Sequence, residues 1–332
     1  MKIAYLATAD TSKENGVIKK IHSQAKTWIS YGNNVRVFVL SPNARKWAGL
    51  NSGKVDYRIF PWNGVIIRAV SWWNLIYDIM EWKPSLIYYR SGLFYPGFLK
   101  LATRFPTVAE INTLDSDEYR IVFSFPRYIY HSITRHKIFS SCKGLVCVTN
   151  ELADKYSRFG KPIAVVSNGI DLSVFPSLPP TNNNIPRLVF LGTPGFPWHG
   201  IEKIISLANI CGDFNFDIIG YNENDIQNKI PHNVSLHGIL ESSQYEKILL
   251  QGDVGIGSLS VHVKNMNEGC PLKVREYLAY GLPVIIGYKD TDIPDGVPYA
   301  LSIPNTPDNV IRCSDKIQEF ARIWLGKRVP RE

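Results

Sequence analysis

Cysteine is sparse and scattered in this sequence: Cys142, Cys147, Cys211, Cys270 and Cys313 are odd in number and nowhere form CxxC. That excludes a disulfide framework and a paired zinc or dithiol site, and reads as reduced thiols in a cytosolic protein. No apolar run approaches the ~18 residues that span a bilayer. The opening stretch MKIAYLAT meets Asp10 too soon to read as a signal peptide. No GxGxxG follows the first strand-like segment, which counts against a nicotinamide dehydrogenase. Gly195 and Gly200 have P-loop spacing, but Ile201-Glu202 stands where Lys-Ser/Thr is required. There is no solenoid repeat, and no helix-turn-helix or RNA-binding signature, so nucleic acid is not the expected partner.

What is present suffices for packed cores. The chain has 332 residues, 45% of them hydrophobic and 20% charged, enough for two domains. Its net charge of +8 is unevenly distributed. Residues 1–161 hold 23 Lys and Arg against 11 Asp and Glu, a balance of +12, whereas the remainder holds 14 against 18, or −4. The two halves are therefore expected to do different work.

Short apolar runs alternate with amphipathic stretches, the pattern of parallel sheets with helical crossovers. Strands are expected at Lys2–Thr8, Asn34–Leu40, Ser85–Tyr89, Pro106–Glu110, Gly144–Val148 and Pro162–Val166, with a helix at Val17–Tyr31 ended by Gly32. The Pro-, Asn- and Ser-rich segment 167–186 reads as a linker. A second series follows: strands at Arg187–Leu191, Phe216–Ile219, Val234–Leu236, Val254–Gly257 and Pro283–Tyr288, with helices near Gly200–Ile210, Ser243–Leu250, Pro271–Tyr280 and Asp315–Leu325. The expected fold is α/β, with two Rossmann-like doubly wound domains, 1–166 and 187–314, facing across a cleft. A C-terminal helical segment, 315–332, is a candidate to pack back on the first domain. Ligands in such sheets bind at the carboxyl ends of the strands.

The main chemical signal is Glu268-Gly269-Cys270-Pro271-Leu272-Lys273-Val274-Arg275-Glu276. Pro271 suits a helix start, and Gly281-Leu282-Pro283 a helix stop. A helix N-terminus with Leu272 and Lys273 is a ready diphosphate site. The rise from Lys273 to Glu276 is about 4.5 Å, the scale separating a diphosphate from its ribose hydroxyls. Glu276 is placed to accept from the ribose, and Glu268 from hydroxyls of an attached sugar. By spacing alone an ordinary surface pair of glutamates is the simpler reading.

In sequence context, Gly252–Ser260 (GDVGIGSLS) and Glu268–Ile286 (EGCPLKVREYLAYGLPVII) resemble the donor-binding core of the retaining family 4 glycosyltransferases, with their Glu-x7-Glu motif. Asn168-Gly169-Ile170-Asp171 with Phe175, Leu191-Gly192 followed by Trp198-His199-Gly200, and Asn15-Gly16-Val17 are similar to further segments of that family. The resemblance implies the GT-B fold and a metal-independent retaining transferase without a cofactor. It implies donor contacts at Gly16, Gly192, His199, Leu272, Lys273 and Glu276, with Glu268 and Lys273 in the catalytic set. Two positions depart from it. Thr193 and His199 stand where many members carry Arg and Lys, so Lys273, the helix start and a protonated His199 are left to offset the diphosphate.

The resemblance assigns the first domain to the acceptor, a glycan or lipid-linked saccharide. Glu110 and Asn112 end a strand there, and with Asp115, Asp117 and Glu118 offer groups to orient or deprotonate a hydroxyl. Asp115-Ser116-Asp117 has the DxD form of metal-sugar sites in another transferase fold, but a helix cap or acceptor contact fits its place better. Arg90 reads equally as a cleft residue or an ion-pair partner, and His131 and His136 as ordinary helix residues. Basic and aromatic residues interleave in Pro126–Lys143 and Ile66–Lys83, a mixture suited either to an anionic membrane surface or to helices packed on a sheet. The expectation is a cytoplasmic transferase, peripheral on the inner face of a membrane, in cell-surface polysaccharide synthesis. A nucleotide-sugar epimerase of similar fold and a non-catalytic sugar-nucleotide-binding scaffold are the alternatives.

Overall fold

The computed structural model describes residues 1–330. The chain divides into two units, the first Met1–Val166 and the second beginning at Ser167. Each has its own parallel sheet and core.

The first sheet contains β1 (Lys2–Thr8), β2 (Asn34–Ser41), β3 (Asp56–Pro61), β4 (Leu86–Arg90), β5 (Thr107–Ile111), β6 (Gly144–Cys147) and β7 (Ile163–Val165) in the order β3-β2-β1-β4-β5-β6-β7. Its central strands are apolar on both faces because helices cover both; Ala4, Tyr5 and Leu6 of β1 are all buried. Helix Gly16–Ser30 follows β1, capped by Asn15, whose side chain accepts from the Ile18 amide at 2.9 Å. It buries Ile18, Ile21 and Ala25. Strand β3 answers to no strand expectation, whereas helix Val65–Trp82 realises the packed-helix alternative for Ile66–Lys83. The strand is only half-buried along its length, and the helix is apolar on more than one face, so neither has a clean period.

The second sheet contains β8 (Arg187–Leu191), β9 (Asn215–Ile219), β10 (Val234–Leu236), β11 (Val254–Ile256), β13 (Val284–Ile286) and β15 (Ala300–Ser302), ordered β10-β9-β8-β11-β13-β15. Two short strands, β12 (Glu268–Gly269) and β14 (Lys289–Asp290), pair apart from it. The strand order reverses between β8 and β11, so the loops leaving these two strands open apart at their carboxyl ends.

The stretch read as a linker is bound into the second unit. Asp253 is fully buried and collects donors from it, the Thr181 hydroxyl and the Asn183 amide at 2.8 Å, and from the first residue of β8, the Arg187 backbone N–H at 3.0 Å. A buried carboxylate needs such donors, which explains why the segment is held. The last helix, Ser314–Ile323, buries Ile317 and Ala321 in the second core.

Candidate functional site

At the carboxyl end of β8 the chain passes through Gly192 to a loop closed by the short turn Pro197–His199. Gly192 is required by close packing: a Cβ there would lie 2.4 Å from the Phe190 ring and 2.7 Å from that of Tyr221. Gly220, with φ +98°, brings its own Cα so near that a Cβ would meet the Gly192 carbonyl oxygen at 2.0 Å. Tyr221 then ties the loop, donating to the Thr193 carbonyl at 2.9 Å and lying 3.1 Å from His199 Nδ1.

Helix Leu272–Ala279 starts beside this loop's strand. Pro271 precedes it, and no side chain caps its N-terminus. Lys273, on its first turn, has its ammonium end buried with no hydrogen-bond acceptor among the described residues. Nζ lies 4.1 Å from the centroid of the Phe190 ring on β8. Burial lowers its pKa from 10.5 to about 7. An ammonium so placed is a charge without a counter-ion, and an anion at the helix start would supply one.

Glu276 is buried one turn further on, where its carboxylate accepts a hydrogen bond from the Tyr245 hydroxyl. Arg275, between them, faces elsewhere: it binds both oxygens of buried Asp290 at 2.8 and 2.7 Å, and Asp292 at 2.6 Å. This clamps the helix to β14. Glu268 opens β12, which pairs with β14, so it belongs to a strand where a loop was expected. Asn168 holds the turn between Glu268 and the helix, its amide donating to the Cys270 carbonyl. The structure therefore brings Gly192, His199, Leu272, Lys273 and Glu276 into one unit on neighbouring elements. Gly16 is in the other unit, at the first position of its helix.

One conditional expectation is not met. Burial, then Lys273 and Lys264, push the His199 pKa well below 6.5, so near neutral pH the ring carries no charge. His199 braces the loop instead, with its carbonyl accepting from the Leu259 amide at 3.2 Å. A further lysine stands at this loop: Lys264 Nζ lies 4.3 Å from the centroid of the Trp198 ring. The sequence analysis passed over Tyr245. It is 31 residues from Glu276 in sequence, and no local pattern joins them.

In the first unit the carboxylates expected to meet an acceptor are already engaged. Glu110 is buried, 2.7 Å from Lys20 and 3.1 Å from Arg90, and takes the Tyr88 hydroxyl at 3.2 Å and the Asn112 amide at 3.0 Å. Asn112 in turn accepts from Lys20 at 2.7 Å. Burial alone would raise the Glu110 pKa, but Lys20 and Arg90 outweigh it and leave it lowered. Arg90 is thus an ion-pair partner. Asp115 is enclosed by His131 at 2.8 Å, by Arg135 Nε at 2.9 Å and by the Tyr156 hydroxyl. Burial opposes its ionisation, yet the bonds from His131 and Arg135 hold its pKa far below the usual carboxylate range. A carboxylate so stabilised is a poor base, so neither residue suits deprotonation of a hydroxyl. His131, read as an ordinary helix residue, is a buried partner of that network and stacks on Tyr119 at 3.8 Å.

Residues 15–174 match the model of Glycosyltransferase Family 4. No curated protein matches the chain. Among solved structures it is similar to the lipopolysaccharide outer core galactosyltransferase WaaB (15% identity, TM-score 0.66, covering 99% of this chain and 92% of that one). It is also similar to HepE of Anabaena, solved in complex with UDP and glucose (14%, 0.67, 98% and 93%). A further likeness is to UDP-GlcNAc 2-epimerase from Neisseria meningitidis, bound to UDP-GlcNAc (14%, 0.56, 97% and 94%). These likenesses give the fold: both units together are GT-B.

Proposed function

We propose, from the match of residues 15–174 to the Glycosyltransferase Family 4 model and from the GT-B fold of the chain, that the protein moves a sugar from a nucleotide diphosphate to a glycan or lipid-linked acceptor with retention of configuration. The observation that carries this reading is the buried Lys273 ammonium, without an acceptor among the described residues, at an uncapped helix start, between Glu268 and Glu276 in the chain. The diphosphate takes Lys273 and the free amides of the first turn, with Leu272 supporting them. Glu276 holds the ribose and Glu268 the transferred sugar, while Gly192 and the braced His199 loop keep the backbone close. That HepE was solved with UDP and glucose, and WaaB is named a galactosyltransferase, supports a nucleotide sugar as the ligand.

Retention needs no protein base if the acceptor oxygen attacks the anomeric carbon on the face the phosphate leaves. The carbon–oxygen bond to the diphosphate breaks as the new glycosidic bond forms, and the acceptor proton passes to the departing phosphate. The engaged, acidic state of Glu110 and Asp115 supports this route. Charge preorganised around the leaving group is then the main device, and neither a cofactor nor a metal takes part. The setting proposed is the cytoplasmic face of a membrane, in cell-surface polysaccharide synthesis; among the described residues no helix is long and apolar enough to cross one.

A panel of nucleotide sugars tested for a rise in melting temperature identifies the donor. Glu276→Ala should then weaken that donor by about 1–3 kcal/mol in calorimetry, from loss of hydroxyl contacts in a buried site; unchanged affinity would refute the ribose assignment. The likeness to an epimerase supports one rival: donor turnover with no acceptor added would favour it. Binding without turnover across a broad acceptor panel would instead mark a sugar-nucleotide-binding scaffold.

A further inference from the structure

Two arginines of the first unit stand apart from every network described above. Arg68, on helix Val65–Trp82, lies 3.5 Å from the centroid of the Trp62 ring, and Arg127, on helix Phe125–Ser141, 4.0 Å from that of Phe123. Among the described residues neither forms an ion pair, and three buried donors here have no acceptor: Arg68 Nε, Arg127 Nε and Trp62 Nε1. Stacking on aromatic rings orients a guanidinium without neutralising it. Both cations act on Tyr95, whose phenol burial pushes up and the arginines pull down, Arg68 also by a side-chain hydrogen bond to it. Lys137 adds a third charge 5.7 Å from the centroid of the neighbouring Phe94 ring.

The surroundings are apolar and exposed. Helix Val65–Trp82 buries Trp72, Leu75, Ile76 and Ile79, yet it also presents Ile66, Val70, Trp73 and Tyr77 to solvent at helical spacing, Ile66 being 81% exposed. Helix Phe125–Ser141 presents Phe125, Ile129 and Ile133 at intervals of four, Phe125 being 73% exposed. Helix Phe98–Arg104 lies between these two, so all three share one side of the unit. Exposed apolar rows of this length mark an interaction surface.

We propose that this side of the first unit seats on an anionic bilayer, with Arg68 and Arg127 gripping a lipid phosphate and the two apolar rows entering the interface. The charge selects this occupant. A second copy would set the same cations against each other, whereas a bilayer supplies both phosphate and hydrocarbon. The inference extends the proposed function by naming the phase from which a lipid-borne acceptor is taken, and the docking itself does not rest on the donor assignments.

Flotation of the full chain with vesicles tests it. Wild type should float with phosphatidylcholine vesicles containing phosphatidylglycerol, not with phosphatidylcholine alone, and binding should weaken at high salt. R68Q/R127Q should bind roughly 25-fold more weakly, about fivefold for each charge lost at the surface. I66S/W73S should lose binding even at low salt. R68K/R127K, which keeps the charge and loses the planar fork, should fall between wild type and R68Q/R127Q, and gives a reading even where paired glutamine impairs folding. Wild type remaining unbound to anionic vesicles, or either arginine variant floating as wild type does, overturns the proposal. So does protection of wild type by inorganic phosphate without flotation, which would mark a site for a free anion. The melting shift given by the donor should persist in R68Q/R127Q; its loss from wild type would count against the donor reading and leave the docking intact.

Discussion

Lys273 shows how one side chain can link binding to protons. Its pKa, lowered by burial to about 7, lies below that of the same amine in the unfolded chain, 10.5. Between those values the unfolded chain holds a proton that the folded chain lacks, so stability from this group rises as pH increases from about 7 to about 10.5. Lys273→Met should abolish that slope, as measured by urea denaturation at pH 7 and pH 9. A bound diphosphate supplies the missing counter-charge and restores the ammonium. At pH 8 the nucleotide sugar should therefore bind with uptake of close to one proton, seen as a dependence of calorimetric heat on the buffer's ionisation enthalpy. No uptake would mean that Lys273 is already charged or remote from the phosphate.

Among the elements, three helices of the first unit meet at a single carboxylate. Asp115 begins helix Asp115–Val122 and receives His131 and Arg135 from helix Phe125–Ser141 and Tyr156 from helix Asn150–Tyr156. Asp115→Ala would leave Arg135 buried without its partner and should cost about 3–5 kcal/mol in chemical denaturation. Because its pKa is lowered in the folded protein, its stabilisation is complete above about 4 and is lost as pH falls below that. The Asp115→Ala variant should thus lose the part of the acid-unfolding profile that Asp115 controls. The DxD spelling of this segment concealed that role, since the partners come from 16, 20 and 41 residues away.

For the whole molecule, two separate cores accompany a charge contrast of +12 over residues 1–161 against −4 over the remainder. Hydrogen exchange with and without nucleotide diphosphate should show protection concentrated in the second unit, in the loop after Gly192 and in helix Leu272–Ala279. Protection centred on helices Val65–Trp82 and Phe125–Ser141 would refute the donor placement.

The sequence by itself determined the alternation of strand and helix, the break near residue 166, and the helix that begins after Pro271. Each is written locally, in periodicity and in Pro and Gly punctuation; β1, β8 and β10 fall at the residues expected. Lys273 and Glu276 share that helix, whereas Glu268 stands on a separate short strand, and spacing alone does not make the three a set. Tertiary structure alone decided what each charge meets. His199 is neutral because folding buries it beside two lysines, Glu110 and Asp115 are engaged because distant strands and helices bring donors to them, and Tyr245 reaches Glu276 from another helix, Ser242–Gln251. Whether a titratable group is solvated, paired or stranded depends on neighbours that chain order does not reveal.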